Sequence, residues 1–223
     1  MKLVYYLYDL QLEFNKNSIN RLVIEEKEVF EQIVINIKKC ISKEEKLFYV
    51  EEQGKELTVD KYGVLVVSPL DLQFDKKEYQ KFLFNKLIEE LQINELQEKI
   101  AQDYEDLIQL VEDLGNKSMF NIELEEELEY IDVFKFLRVE LEQPKGNFLE
   151  KLLDYMKIEM ELMNKKIFFV VNCAAYMENN WYNEIRNWCD YQEVIVVFIE
   201  NQQTSIGYDL NEYILDRDLC IIH

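Results

Sequence analysis

The spacing of hydrophobic and polar positions changes several times along the chain, and each change marks a boundary between elements. The opening stretch "MKLVYYLYDLQLEF" alternates loosely and predicts an N-terminal strand or hairpin. From Glu26 to Ile41 the period becomes helical, with Val29, Phe30, Ile33, Val34, Ile37 and Ile41 on one face. "KLFYVEE" at 46–52 predicts a strand. "YGVLVVSPL" at 62–70 contains the unbroken apolar run Val64 to Val67, the pattern of a strand buried on both sides. Asp75 and Glu78 stand at capping-box spacing, and Tyr79, Leu83, Leu87 and Leu91 follow at every fourth position. Leu96, Ile100, Leu107, Val111 and Leu114 continue the stripe after a drift in register near Ile93, and Gly115 is read as the C-cap. The expectation is a helix of about 39 residues, roughly 60 Å long if unbroken. It is kinked near Gln92–Asn94 and projects from the rest of the protein.

Beyond it, "MFNIELE" reads as a strand, Glu126 to Leu137 as a helix and "RVELE" as a short strand. Asn147 with Glu150 forms a second cap. Leu149, Leu152, Leu153, Met156, Met160 and Met163 then define a helix to about Asn164, its Met and Leu stripe a packing surface. The last third differs again. "KIFFVVN" and "EVIVVFIE" are unbroken apolar strands, Trp181, Ile185 and Trp188 lie at helical spacing between them, and "LCII" at 219–222 reads as a third strand. Apolar strands separated by a helix predict a parallel sheet covered on both faces. The fold class expected is α/β. A head domain is formed by 1–70 and 165–223, and 71–164 is an extended, mainly helical insertion.

Composition narrows the functions. Of the 223 residues 48% are hydrophobic, enough for a sizeable core, and 45 Asp and Glu outweigh 25 Lys and Arg to give a net charge of −20. That charge repels polyanions at long range, although binding depends on where the cations lie rather than on their sum. The cysteines Cys40, Cys173, Cys189 and Cys220 form no CxxC, and His223 is the only histidine, which argues against zinc. Buried, reduced thiols are expected instead. There is no signal-peptide pattern and no apolar stretch of about 18 residues. A cytoplasmic protein without membrane contact is expected.

The usual sites of chemistry are missing. A phosphate loop needs GxxxxGK[ST], because backbone amides and the lysine cradle the phosphates. "GNKS" at 115–118 has the wrong order, "GKE" at 54–56 lacks the hydroxyl, and the turn "CAAY" after the "IFFVVN" strand has neither glycine nor lysine. A single terminal imidazole does not make a serine–histidine hydrolase. The densest feature is acidic: in "NIELEEELEYID", 121–132, five glutamates occupy Glu123 to Glu129 with no lysine or arginine among them. A solvated face, a repulsive spacer and a set of oxygen ligands for Ca²⁺ all suit such a run. The basic residues are sparse but grouped. Lys38, Lys39, Lys43 and Lys46 follow the first helix, Lys76, Lys77, Lys81 and Lys86 open the long one, and Lys135, Arg138 and Lys145 flank the acidic segment.

The C-terminal third carries a resemblance. A strand ending in Val171-Asn172-Cys173-Ala174-Ala175-Tyr176 is followed by a helix and by a second apolar strand ending in Glu200. The chain then closes with "YDLNEYILDRDLCII", which holds Asp216 and Asp218. This pattern resembles the CRISPR-associated Csn-two family, the adaptation accessory proteins of type II-A systems. "KFLRVELE" at 135–142 after the acidic segment is similar to the family's middle region, while Cys173-Ala174 replaces a Ser-Gly common in it. The resemblance implies a degenerate P-loop-like α/β head with a helical leg. It implies a homotetrameric ring that encircles linear double-stranded DNA at its ends, without sequence preference and without catalysis. It further implies Ca²⁺ as cofactor, with Glu123, Glu125, Glu126 and Glu129 as ligands, and a DNA-facing set of Lys38, Lys39, Lys76, Lys77, Lys81, Lys135, Arg138 and Lys145. The partners implied are the adaptation integrase proteins and the RNA-guided effector nuclease, in spacer acquisition. An acidic protein–protein adaptor without DNA binding and a remnant nucleotide hydrolase are the alternatives.

Overall fold

A computed structural model of the chain describes residues 2–8, 10–15, 18–52, 54–68, 72–118, 121–125, 127–204 and 210–222. The elements are β1 (Lys2–Tyr5), β2 (Leu10–Glu13), β3 (Ile19–Ile24), α1 (Lys27–Ile41), β4 (Phe48–Glu52), β5 (Lys55–Thr58), α2 (Val59–Tyr62) and β6 (Gly63–Val66). There follow α3 (Lys77–Ile93), α4 (Gln97–Lys117), α5 (Tyr130–Phe136), α6 (Phe148–Met163), β7 (Ile167–Val171), α7 (Asn179–Gln192), β8 (Ile195–Glu200), β9 (Leu210–Leu215) and β10 (Ile221–Ile222). The described residues thus form a mixed α/β fold with two sheets and seven α-helices. The chain divides into two compact units, 1–73 with 144–223 and 74–143. Helix α6 falls in the first of these, whereas the expected leg ran to 164. Its buried face of Leu149, Leu152 and Met156 and its Phe148 ring, which lies 6.4 Å from Trp181, account for that placement.

The first unit is built on a six-stranded sheet in the order β10-β9-β3-β8-β7-β6, parallel from β9 to β6. Strands β3, β7 and β8 have every residue buried, as central strands covered on both faces are. On one face Leu22, Phe169 and Val197 share a core with Ile33 and Ile37 of α1. The same core takes in Leu3, Leu12 and Val50 of a four-stranded antiparallel sheet, ordered β2-β1-β4-β5. The Asn36 amide of α1 donates to the Tyr5 hydroxyl at 2.7 Å. On the other face the Tyr182 ring of α7 meets Phe198 edge-on, 5.1 Å between centroids.

Two polar groups are built into this core. Asn20, 1% exposed, donates to the Val196 carbonyl at 3.3 Å and accepts from the Asn211 amide at 2.9 Å, tying three strands together. Arg21, also 1% exposed, pairs with Glu212 on β9 and donates to the Thr204 carbonyl at 2.9 Å. Neither strand was legible in the sequence: "INRLVI" is broken by its Asn and Arg, and "LNEYIL" carries polar residues along the sheet margin. The expected third parallel strand at 219–222 is instead the two-residue β10, antiparallel to β9.

The second unit corrects several expectations. The long helix is two helices, α3 and α4, separated at 94–96, where Glu95 adopts φ 54° and the Asn94 amide bonds back to the Glu90 carbonyl at 2.8 Å. The N-cap of α3 is Lys76 and makes no side-chain capping bond, so Asp75 and Glu78 form no capping box. Gly115 does not stop α4, which runs on to Lys117. A Cβ there would stand 2.4 Å from the Ile122 side chain, so glycine serves a close approach rather than a turn. Among the described residues, 121–125 and 138–142 form no strand and, of the expected 126–137 helix, Tyr130–Phe136 is helical, while Met119, Phe120 and Glu126 lie outside the described residues. Alternation in these short stretches had no partner strand to complete it.

Two substitutions separate the terms that hold the first unit. The cap of α6 is complete, with Asn147 Oδ1 accepting from the Glu150 amide at 3.0 Å and the Glu150 carboxylate accepting from the Asn147 amide at 2.9 Å. Asn147→Ala is expected to cost about 1 kcal/mol, and Phe169→Ala, which empties a fully buried site, about 3–5 kcal/mol, both read from urea unfolding.

Candidate nucleic-acid interface

In a parallel α/β sheet, ligands are held outside the carboxyl ends of the strands where the connections diverge. Here that place lies between β3, whose chain leaves towards β6, and β8, whose chain crosses back to β9. The groups gathered there are acidic. Glu25 and Glu26 follow β3 and open α1, and Glu200 ends β8. Glu200 is 4% exposed. Its Oε1 accepts from the Cys173 amide at 3.0 Å and from the Ala174 amide at 3.1 Å, with the Cys173 thiol at 3.6 Å. The backbone supports this turn: the Asn172 amide donates to the Ile199 carbonyl at 2.9 Å, and Asn172 takes φ 49°. An internal carboxylate therefore occupies amides of the kind that hold a phosphate oxygen elsewhere. Burial pushes the Glu200 carboxyl up from its ordinary range, against the pull of the Ala174 and Cys173 donors. Burial and the nearby Glu200 push the Cys173 thiol well up. Sequence reading noted Glu200 only as the end of a strand, yet a single acid closing an apolar run was the available signal.

The basic residues expected to face DNA fall into separate groups. In the first unit Lys38 is exposed in the last turn of α1. Lys39 beside it is held by Glu45 at 2.7 Å, a contact that raises its pKa. Lys145 is exposed just before α6. In the second unit Lys77 and Lys81 stand exposed one turn apart on α3. The Lys76 ammonium lies over the Tyr79 ring, 4.9 Å from its centroid, and Lys76 and Lys77 line a cleft of about 160 Å³ with Phe74 and Glu140. Lys135 is exposed and paired with Asp132 at 2.7 Å, and Arg138 follows α5 with φ 53°. The structure brings Lys76, Lys77 and Lys81 together at the start of α3; the others belong to different elements.

The acidic run is not the arrangement expected from its sequence. Glu123 and Glu125 lie on irregular chain rather than on a strand, Glu129 is the cap of α5, and Glu126 lies outside the described residues. Glu123, Glu125 and Glu129 are all exposed. Among the described residues no three His, Cys, Asp or Glu side chains converge as a metal site would need. The described part of the run does not by itself fit a calcium centre.

Comparison with known proteins places this architecture. A mixed α/β fold of this kind is seen in the crystal structure of Stu0660 of Streptococcus thermophilus, with a TM-score of 0.59 at 13% identity over 100% of this chain and 76% of that one. The family model described as CRISPR-associated protein (Cas_Csn2) matches residues 40–219. The chain belongs to that family, and its role is CRISPR-associated. Among the described residues no helix is long and apolar enough to cross a membrane.

Glu200 makes a pH prediction. Its pKa is raised in the folded state above an ordinary 4.5, so the native state binds the proton more tightly than the unfolded chain does. Its contribution is fully present below 4.5 and is lost as pH rises from there through the raised folded value. Glu200→Gln keeps an acceptor for both amides and cannot ionise. In urea titrations across pH, the stability of the variant relative to the natural protein should therefore grow as pH climbs above about 4.5.

Proposed function

We propose that the chain is a non-catalytic, sequence-independent binder of double-stranded DNA ends. It acts in CRISPR spacer acquisition as a homotetrameric ring, alongside the integrase proteins and the RNA-guided effector nuclease. Family membership supports the setting. The observation that carries the DNA reading is the cationic face at the start of α3, where Lys77 and Lys81 are exposed beside Lys76 at a helix end that itself favours anions. On a chain of net charge −20, such a face is where a polyanion can approach. Lys38, Lys39, Lys135, Arg138 and Lys145 are the further contacts proposed, as phosphate contacts positioned without base readout. The first unit is read as a degenerate relative of phosphate-binding α/β folds. The acidic crevice between β3 and β8 and the Glu200 carboxylate on the Cys173 and Ala174 amides support that reading, and with it the absence of nucleotide turnover.

Phosphate contacts release counter-ions, so affinity for a blunt-ended duplex should fall steeply with salt. Lys77→Glu with Lys81→Glu should weaken binding to all sequences alike and flatten the salt slope by about 2, measured by filter binding. A linear plasmid should bind far better than the same plasmid closed, since a ring must be threaded at an end. Equal binding of both forms refutes the ring, and a duplex that never binds favours the adaptor reading.

Calcium is a separate proposal, resting on charge density alone. A divalent counter-ion would relieve the repulsion among Glu123, Glu125, Glu126 and Glu129 during assembly. Sedimentation in millimolar calcium should show the tetramer, and excess chelator should return smaller species. An unchanged profile removes calcium from the account.

A further inference from the structure

The first unit holds a cleft apart from the crevice at the end of the sheet. It lies where the last turn of α1 meets the β4–β5 hairpin and the start of α2, and it encloses about 370 Å³. That is room for one small molecule, within the range of about 300–1,000 Å³ usual for such sites, and far too little for a duplex. Its lining includes the buried side chains of Cys40, Phe48 and Val59. One wall is aromatic: the Tyr6 and Tyr49 rings stand 5.3 Å apart at 39°. Tyr6 is 60% exposed, so much of its ring is open to a ligand. The cleft is preformed. The amides of Ser42, Lys43, Glu44 and Glu45 return to carbonyls of the last turn of α1 at 2.9–3.4 Å. The Leu47 amide donates to Cys40 Sγ at 3.2 Å, and the Tyr6 amide donates to the Leu47 carbonyl at 3.2 Å.

Five charged side chains also line the cleft, and two of the three carboxylates are already answered. Glu45 accepts from the Lys39 ammonium at 2.7 Å. Asp60 is held below its ordinary range chiefly by the Thr58 hydroxyl, with the Lys61 amide and Lys43 acting in the same direction. Lys43, Lys46 and Glu56 are exposed and have no ion-pair partner among the described residues. The cleft therefore offers an aromatic face, two cations and one free acceptor. A flat ring suits the first, an anion the second and a hydroxyl or amine donor the third. A nucleotide carries all three groups, and any base stacks on an aromatic side chain. The base must be unpaired, because in a duplex its neighbours already cover both faces.

We propose that this cleft binds a single unpaired nucleotide. Its base lies against the Tyr6 and Tyr49 wall, its phosphate meets Lys43 and Lys46, and Glu56 accepts from a hydroxyl or amine. The nucleotide is either free in solution or the last one of a strand, since the chemistry recognised is the same. Neither the lysines at the start of α3 nor a ring assembly is needed for this binding.

The test uses the full chain and the fluorescent base 2-aminopurine, whose emission reports stacking. Three probes are titrated: its deoxynucleoside 5′-monophosphate, the nucleoside without phosphate, and a DNA hairpin ending in one unpaired 2-aminopurine nucleotide. A saturable change of emission is expected with the monophosphate, at least tenfold weaker with the nucleoside. A change with the hairpin alone assigns the cleft to strand ends, and a change with the monophosphate alone assigns it to free nucleotides. Tyr6→Ala should abolish the change. Lys43 has φ 64°, a backbone that asparagine tolerates. Lys43→Asn with Lys46→Gln should therefore keep the fold, weaken the monophosphate at least tenfold and leave the nucleoside unchanged. Circular dichroism checks the fold of each variant. Lys77→Glu with Lys81→Glu should leave monophosphate binding intact, which separates failure here from failure of duplex binding. No saturable change with either the monophosphate or the hairpin overturns the proposal. So does a change that survives both the Tyr6 and the lysine variants, or displacement of the monophosphate by an equal concentration of free tyrosine.

Discussion

Double-sided burial of the central strands governs the first unit. Because β3, β7 and β8 expose no residue on either face, the sheet is stable only when both faces are covered by other elements. On one side α1 and the small antiparallel sheet supply that cover, and on the other α7 does, through Tyr182. The same constraint makes Arg21 and Asn20 costly, since each is polar and almost wholly removed from water. Each is answered in full: Arg21 by Glu212 and Thr204, Asn20 by carbonyls and an amide of its neighbours. These contacts join β3 to β9 and to the chain entering it, and so give an edge with modest apolar content a defined register.

The carboxyl end of this sheet shows how a fold and its function separate. The topology places a crevice where related architectures take nucleotides, but the chemistry there is inverted. Glu25 and Glu26 border the opening, and the Glu200 carboxylate takes the Cys173 and Ala174 amides for itself. A phosphate would meet negative charge where it needs donors.

The helical unit follows a different logic. Phe84 against Phe134, 5.6 Å between ring centroids, and buried Tyr79 and Phe74 give it a small core, whereas α4 has no fully buried residue and its Ile100, Tyr104 and Val111 are only half-buried. A helix in water owes most of its stability to packing of its apolar face.

Apolar runs determined much of the first unit from sequence alone. "IFFVV" and "IVVFIE" could only be buried strands, and the periods of 26–41 and 149–163 could only be one-faced helices. Asn147 and Glu150 announced their cap because its partners lie three residues apart. The resemblance to the family rested on the same C-terminal stretch. Tertiary structure decided whatever depended on distant partners. Strand β3 reads as ordinary polar-interrupted chain until Glu212, 191 residues away, neutralises Arg21. The turn at 172–174 became a closed amide nest only because Glu200 reaches it from the end of the neighbouring strand β8. The alternation in "NIELE" and "RVELE" found no neighbouring strand and stayed irregular, which also dispersed the glutamates that the sequence had lined up. Local periods follow from the chain's own geometry, whereas pairing, charge neutralisation and grooves arise only when remote segments meet.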